Sequence, residues 1–271
     1  MSTRPFLWAL LAVALPGGAS GDDAAAEPVR PTRAIRLFNG KDLGGLTTWL
    51  KETGHVDPRG VFRVTRDGLL HISGDGFGYV ATDRAYRDYR VVLEYRWGDR
   101  TDGGPSVRNS GLLLNAVGPD GGAGGEWMSS VECQLAQGCV GDLIPIRGKL
   151  ADGSMVPVSL TTDVVLGPDK HPRWKVGGTP RTFTDSQLWW SRHDPDYKEL
   201  LDTRGKDDVE SPKGEWTRVE CTSTAGRITV RVNGHLVNEC REVTPAAGKI
   251  LVQTEGFELF VRTFEVHPIS Q

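Results

Sequence analysis

Cysteine, methionine and histidine are scarce in this chain, with 4, 3 and 6 copies among 271 residues. No HExxH, HxH or CxxC spacing occurs, so a histidine-rich or cysteine-rich zinc centre is not indicated. No G-x-S-x-G run occurs, which removes the usual serine nucleophile elbow. The glycine-rich stretches Gly103-Gly104 and Gly121 to Gly125 follow no dinucleotide fingerprint. The formal charge of −3 leaves no basic footprint for nucleic acid or an anionic membrane. No fixed-period repeat is present, and almost no helical periodicity.

What is plentiful is glycine, at 34 copies, with 16 prolines and 8 tryptophans. The composition is turn-rich, and tryptophan serves both as core filler and as a surface for stacking sugars. Residues 1–20 read as a secretory signal peptide. Arg4 gives the positive start, Phe6 to Leu15 the apolar run, and Pro16 to Ser20 the break and the small residues. The run is too short to span a bilayer, and the mature chain is expected to be secreted or periplasmic, without a transmembrane segment. Residues 21–34 read as a flexible polar leader. All four cysteines follow it, and an even number in an exported chain suggests disulfides. Of the three connectivities, the local pairs Cys133–Cys139 and Cys221–Cys240 are favoured. The place of Cys133 on an apolar strand face also fits a buried thiol.

From residue 35 onward the chain alternates. Tyr89, Val91, Leu93, Tyr95 and Trp97 share one face, with Arg90, Glu94 and Arg96 on the other. Val61 to Val64 and Leu69 to Ile72 flank Arg66-Asp67-Gly68 as a hairpin. Trp216 to Thr222, Arg227 to Val232 and His235 to Asn238 read as a meander turning at Ala225-Gly226 and Asn233-Gly234. Many short strands with glycine turns predict an all-β fold, an antiparallel β-sandwich or jelly roll over residues 35–269. Residues 149–213 break the rhythm and are expected to be a long, aromatic-rich loop insertion. The most informative stretch is Ser130 to Gln134. Val131, Cys133 and Leu135 face one way, while Glu132 and Gln134 face the other, about 7 Å apart at about 3.3 Å per residue. A Gly-Cys-Val-Gly-Asp turn then brings Asp142 back near the strand end.

Six short motifs in order carry a family resemblance. They are Leu37-Phe38-Asn39-Gly40-Lys41-Asp42, Asn109-Ser110-Gly111, Glu132-x-Gln134 followed by Gly141-Asp142, Gly214-Glu215-Trp216, Val232-Asn233-Gly234 with Val237-Asn238, and Gln253-Thr254-Glu255-Gly256 with Phe260-Val261-Arg262. In this order they resemble the 3-keto-disaccharide hydrolase family, long known as domain of unknown function 1080, over about Ile35 to Ile269. The resemblance implies a concanavalin A-like jelly roll of two antiparallel sheets and action on oxidised glycosides. The chain departs from the family pattern in its last strand, Val261-Arg262-Thr263-Phe264, and at Asn115, where many members place His or Arg.

Ordinary glycosidases need two carboxyl groups across the scissile bond, and the strand neighbour of Glu132 is a neutral Gln. A 3-keto sugar needs less. Its ketone acidifies the C2 proton, so one base and a set of donors or a cation at the enolate oxygen suffice. Glu132 and Asp142 are the expected catalytic groups, as base or as ligand of a divalent cation such as calcium or magnesium. Gln134, Gln253, Glu255, Arg262, Trp189, Trp190, His193 and Asn115 are the expected sugar contacts. A non-catalytic carbohydrate-binding module, or an envelope-associated binding domain, is the competing reading. Convergence of Glu132, Asp142 and Glu255 in one pocket favours the enzyme.

Overall fold

A computed structural model describes residues 26–269. The signal peptide expected at 1–20 lies outside these residues. In chain order the strands are β1 (Ile35–Arg36), β2 (Leu46–Leu50), β3 (Phe62–Val64), β4 (Leu70–Ile72), β5 (Phe77–Thr82), β6 (Tyr89–Trp97), β7 (Gly111–Val117), β8 (Ser129–Gln134), β9 (Leu143–Ile146), β10 (Ser159–Leu166), β11 (Pro172–Trp174), β12 (Thr179–Phe183), β13 (Thr217–Thr224), β14 (Arg227–Val232), β15 (His235–Thr244), β16 (Lys249–Glu255) and β17 (Leu259–Pro268). Among the described residues there is no helix, and so none long and apolar enough to cross a membrane.

The strands form two antiparallel sheets. The larger runs β11-β10-β15-β14-β13-β6-β17-β4-β3, with β1 added to β17 and β12 to β10. The smaller runs β2-β5-β16-β7-β8-β9. This is the concanavalin-like jelly-roll sandwich that the strand spacing and the motifs predicted. The period-2 patterns face the core as read. Tyr89, Val91, Leu93, Tyr95 and Trp97 of β6 are all buried, and they meet Val131, Cys133 and Leu135 from the smaller sheet. Glu132 and Gln134 therefore point away from the inter-sheet core, onto the outer face of the smaller sheet.

Three expectations are corrected here. All four cysteines are free and buried. Cys133 turns inward and meets Cys221 of β13 across the core, while Cys139 sits in the turn beyond β8 beside Glu199. Strand alternation thus points Cys133 away from Cys139, and Cys221–Cys240 is not formed either. Residues 149–213 are not a loop insertion throughout, since they hold β10, β11 and β12, which extend the larger sheet beside β15. The alternation in Ser159–Leu166 is masked by the charged segments around it. The leader is anchored from Val29 on. Val29 bridges Tyr86, its N–H donating to Ala85 O at 2.8 Å and its carbonyl accepting from Arg87 N–H at 3.0 Å.

Candidate active site

The outer face of the smaller sheet carries an apolar half and a polar half. Tyr79, Ala81, Leu113, Trp127, Met128 and Leu251 form a small second core beneath the 121–126 turn. Beyond it, β16, β7 and β8 present Gln253 and Glu255, Gly111, and Glu132 and Gln134. Registers pair Gly111 with Gln134 and Leu113 with Glu132, and Leu112 with Val252, which brings Gln253 alongside Gly111.

Gly111 makes this crowding possible. A Cβ there would lie 2.2 Å from Gln253 Oε1 and 2.2 Å from Glu132 Oε1. Those two oxygens are therefore at most twice that distance apart. Glu132 is only 5 % exposed. Burial pushes its carboxyl well above the usual range, and the nearby Glu255 carboxylate adds to the effect. Glu132 thus keeps its proton to higher pH than an exposed glutamate does. Gln253 Oε1 is buried without a hydrogen-bond partner, and a protonated Glu132 is the donor positioned to supply one. Burial, with Glu126 adding negative potential, raises Glu255 to about 7, while Glu126 itself pairs with Lys51 at 2.6 Å. Two neighbouring carboxyls both raised by burial are a recurring mark of acid–base sites.

Above this floor opens a cavity of 290 Å³, lined by Gln134 and Glu255 together with Phe77, Asn109, Gln187 and Phe257, and at its rim by Asp102 and Glu199. The volume is at the lower end for small-molecule sites, roughly 300 Å³. Gln134 Oε1 accepts the N–H groups of Leu135 and Ala136 at 3.0 and 3.2 Å, which turns its amide NH₂ outward. Asn109 Oδ1 is buried and unpartnered. No Lys or Arg lines the cavity. Arg108, the nearest in sequence, is 1 % exposed and bonds Asp202 at 3.0 Å. A larger hollow of 730 Å³ lies along β10 and β12, but Arg181 is its only charged wall residue, and no group there can exchange a proton with substrate.

The other predicted residues fall elsewhere. Asp142 is fully buried behind the cavity wall. Its Oδ1 accepts Trp190 N–H and its Oδ2 accepts Gln187 Nε2–H, both at 2.6 Å. It therefore does not line the cavity itself. Burial raises its carboxyl strongly despite both donors. Trp190 is buried and donates its indole N–H to Gly138 O at 3.2 Å, so it packs its own segment and offers no face to a sugar. Trp189 stands edge-on to His193, with ring centres 3.7 Å apart, and does not line the cavity. His193 is buried, and burial, with Arg173 adding positive potential, lowers its imidazole to about 4.

Asn115 is corrected to a structural role. It sits in the core at φ 54°, accepts Tyr89 O–H at 2.9 Å and donates to Ser223 Oγ and Pro245 O. Arg262 is also corrected. It lies on the outer face of the opposite sheet, bonding Glu94 at 3.1 Å and covering the Trp216 ring at 4.6 Å. Sequence reasoning missed Phe77, Asp102, Gln187, Glu199 and Phe257. Asn109 was in view only as part of a motif.

The fold and the cavity together define a jelly-roll protein with a carboxyl-bearing pocket on the outer face of its smaller sheet. A family model described as the 3-keto-alpha-glucoside-1,2-lyase-like domain matches residues 33–267, and the chain belongs to that family. Membership gives it a carbohydrate-related function. Among solved structures, a protein of Parabacteroides distasonis provisionally assigned as a glycosyl hydrolase is similar at 15% identity and a TM-score of 0.51, covering 88% of this chain and 94% of that one. The β-glucanase of Bacillus licheniformis aligns at 7% identity and a TM-score of 0.43, covering 88% and 99%. The carbohydrate-binding module CBM66 of Bacillus subtilis aligns at 8% and 0.43, covering 82% and 94%. At 15% identity the likeness to the Parabacteroides distasonis protein is one of fold. No curated protein matches the chain.

Proposed function

We propose that this protein cleaves 3-keto-glycosides by elimination across C1 and C2, with Glu255 as the base. The observation that supports this reading is one cavity of sugar size lined by Glu255, Gln134 and Asn109, with Glu132 and Gln253 crowded against Gly111 on the strands beside it. The carboxylate of Glu255, poised near 7, takes the C2 proton acidified by the ketone. The C3 oxygen becomes an enolate, held by the amides of Gln134, Gln253 and Asn109. The electron pair then forms the C1–C2 double bond as the C1–O bond breaks, and the departing oxygen recovers the proton from Glu255. Water can add to the resulting enone at C1, so that the net outcome is hydrolysis.

Glu132 has a different part from the base expected of it. Buried, with its carboxyl raised by that burial, it is a positioning residue whose O–H, when protonated, fixes Gln253 Oε1 and so aims the amide NH₂ toward the sugar. One base with neutral donors fits this chemistry better than it fits hydrolysis of plain glycosides, which asks for an acid and a second carboxylate acting directly at C1. A purely binding module has no use for a cavity-lining carboxyl poised near neutrality.

The test is Glu255→Gln assayed with a 3-keto-glucoside, alongside exchange of the C2 proton in deuterated water followed by NMR. Loss of a positioned base should cost about 10²–10⁴-fold in both, with binding retained. Wild-type rates in Glu255→Gln would remove it from the mechanism. Sugar binding without C2 exchange in the wild type would favour the binding module.

A further inference from the structure

Behind the cavity wall, Cys139, Asp142 and His193 each bring one ligand atom within 4.8 Å of the other two. None is surface decoration, as their exposures are 2 %, 0 % and 5 %. They come from the turn after β8 and from the segment following β12, which are far apart in sequence and are otherwise tied by the bonds of Asp142 to Gln187 and Trp190. A second observation points to a ligand. His193 Nδ1 is buried with no hydrogen-bond partner, an uncommon state for an interior imidazole. The Cys139 thiol has only a long contact of 3.7 Å to Glu199 Oε1, and Cys139 and Glu199 both line the cavity.

We infer that Cys139, Asp142 and His193 form a binding site for a zinc-class divalent cation, with its fourth position facing the cavity. Thiolate and imidazole are the donors that zinc and cobalt select, whereas calcium and magnesium take oxygen shells. The donor set therefore argues against the hard cations expected from sequence. Zinc bonds of about 2.0–2.3 Å require the three atoms to close up by about 1 Å, which small side-chain rotations in the turn and in the 187–193 segment can supply. The Asp142 oxygens already accept Trp190 N–H and Gln187 Nε2–H, the outer-shell bonds that orient a ligating carboxylate. The fourth position is open to Glu199, water or a sugar oxygen. Three protein ligands and one open position are the pattern of a reactive zinc site, as opposed to a closed structural one. The site stands independently of the base assigned to Glu255, because its readout is metal binding and not turnover.

The experiment uses the purified chain stripped with chelator and titrated with Co²⁺ and with Zn²⁺. One equivalent of Co²⁺ is expected to bind and to give thiolate-to-cobalt charge-transfer absorption. That absorption should vanish in Cys139→Ser and persist in Cys240→Ser, whose thiol is buried elsewhere. Gln187→Ala, which removes one outer-shell bond, should weaken binding by about 10–100-fold. X-ray absorption of the zinc-loaded wild-type protein should show one sulfur neighbour, which keeps the test decisive if Cys139→Ser fails to fold. No stoichiometric binding, a sulfur-free zinc shell, or cobalt absorption unchanged in Cys139→Ser would each overturn the assignment.

Discussion

Gly111→Ala is the sharpest probe of the floor of the site. Gly111 lies on β7, between the strands that carry Glu132 and Gln253. Its φ is not in the left-handed region, so alanine brings no backbone strain. What it brings is a methyl group 2.2 Å from each of two side-chain oxygens and 2.9 Å from Gln253 Cδ. Ordinary contact needs roughly 3.5 Å, so each oxygen must retreat by about 1 Å. Both side chains are buried, and the retreat must be absorbed by packed neighbours. Overpacking of this kind costs about 1–3 kcal/mol. For a chain of this size that is a fall in Tm of roughly 3–10 °C. The larger effect should be on chemistry, because a shift of about 1 Å in a positioned group costs on the order of 10²-fold in rate. Thermal unfolding and C2-proton exchange on the same preparations measure both. The double variant Gly111→Ala/Gln253→Ala, which relieves one of the two clashes, should recover part of the stability without recovering rate. A single Gly111→Ala variant with wild-type Tm and wild-type exchange would refute the crowding argument and with it the coupling of Glu132 to Gln253.

The remaining predictions concern protons and thiols. Burial raises the Glu132 carboxyl in the folded state, while the unfolded chain ionises near 4.3. The unfolded state then binds fewer protons, so stability should fall as pH rises above about 4.3, by up to about 1.4 kcal/mol per pH unit for this one group. Glu132→Gln removes that slope, and denaturant titrations from about pH 4 to about pH 8 should show the variant gaining on wild type; parallel curves would contradict a buried, neutral Glu132. In the exchange assay Glu132→Gln, which keeps a donor toward Gln253 Oε1, should retain most activity, whereas Glu132→Ala should lose about 10²-fold. With four free thiols, reductant should leave Tm unchanged, and alkylation in denaturant without reductant should label all four. Fewer labels would restore a disulfide.

The sandwich was legible because period-2 patterning is a local signal. The β6 alternation and the Val131-Cys133-Leu135 face each specify which side meets the core. The same rule put Glu132 and Gln134 on one outer face. Asn115 and Arg262 could not be placed this way. Asn115 lies within β7 at the point where its pairing with β8 shifts register between Leu114 and Val117, and it turns into the core to accept the Tyr89 O–H. Arg262 sits in a motif close in sequence to Gln253 and Glu255, yet one sharp turn carries β17 to the other sheet. Phe77, Asp102, Gln187 and Glu199 come from four separate segments with no shared period, so only the folded chain brings them together. The disulfide expectation failed for a related reason. Short sequence separation does not outweigh a strand that points Cys133 inward and a turn that holds Cys139 on the opposite side.

The cavity has a floor and walls of different origin. The floor is laid by β16, β7 and β8, where every residue is also a member of a hydrogen-bonded ladder. The walls are connections: the 102–109 turn, the 187–199 segment and Phe77 at a strand end. Wall residues can therefore change without disturbing strand pairing, whereas a change in the floor is felt by the whole sandwich. Among members of the family, sequence divergence should therefore concentrate in those connections and spare the floor.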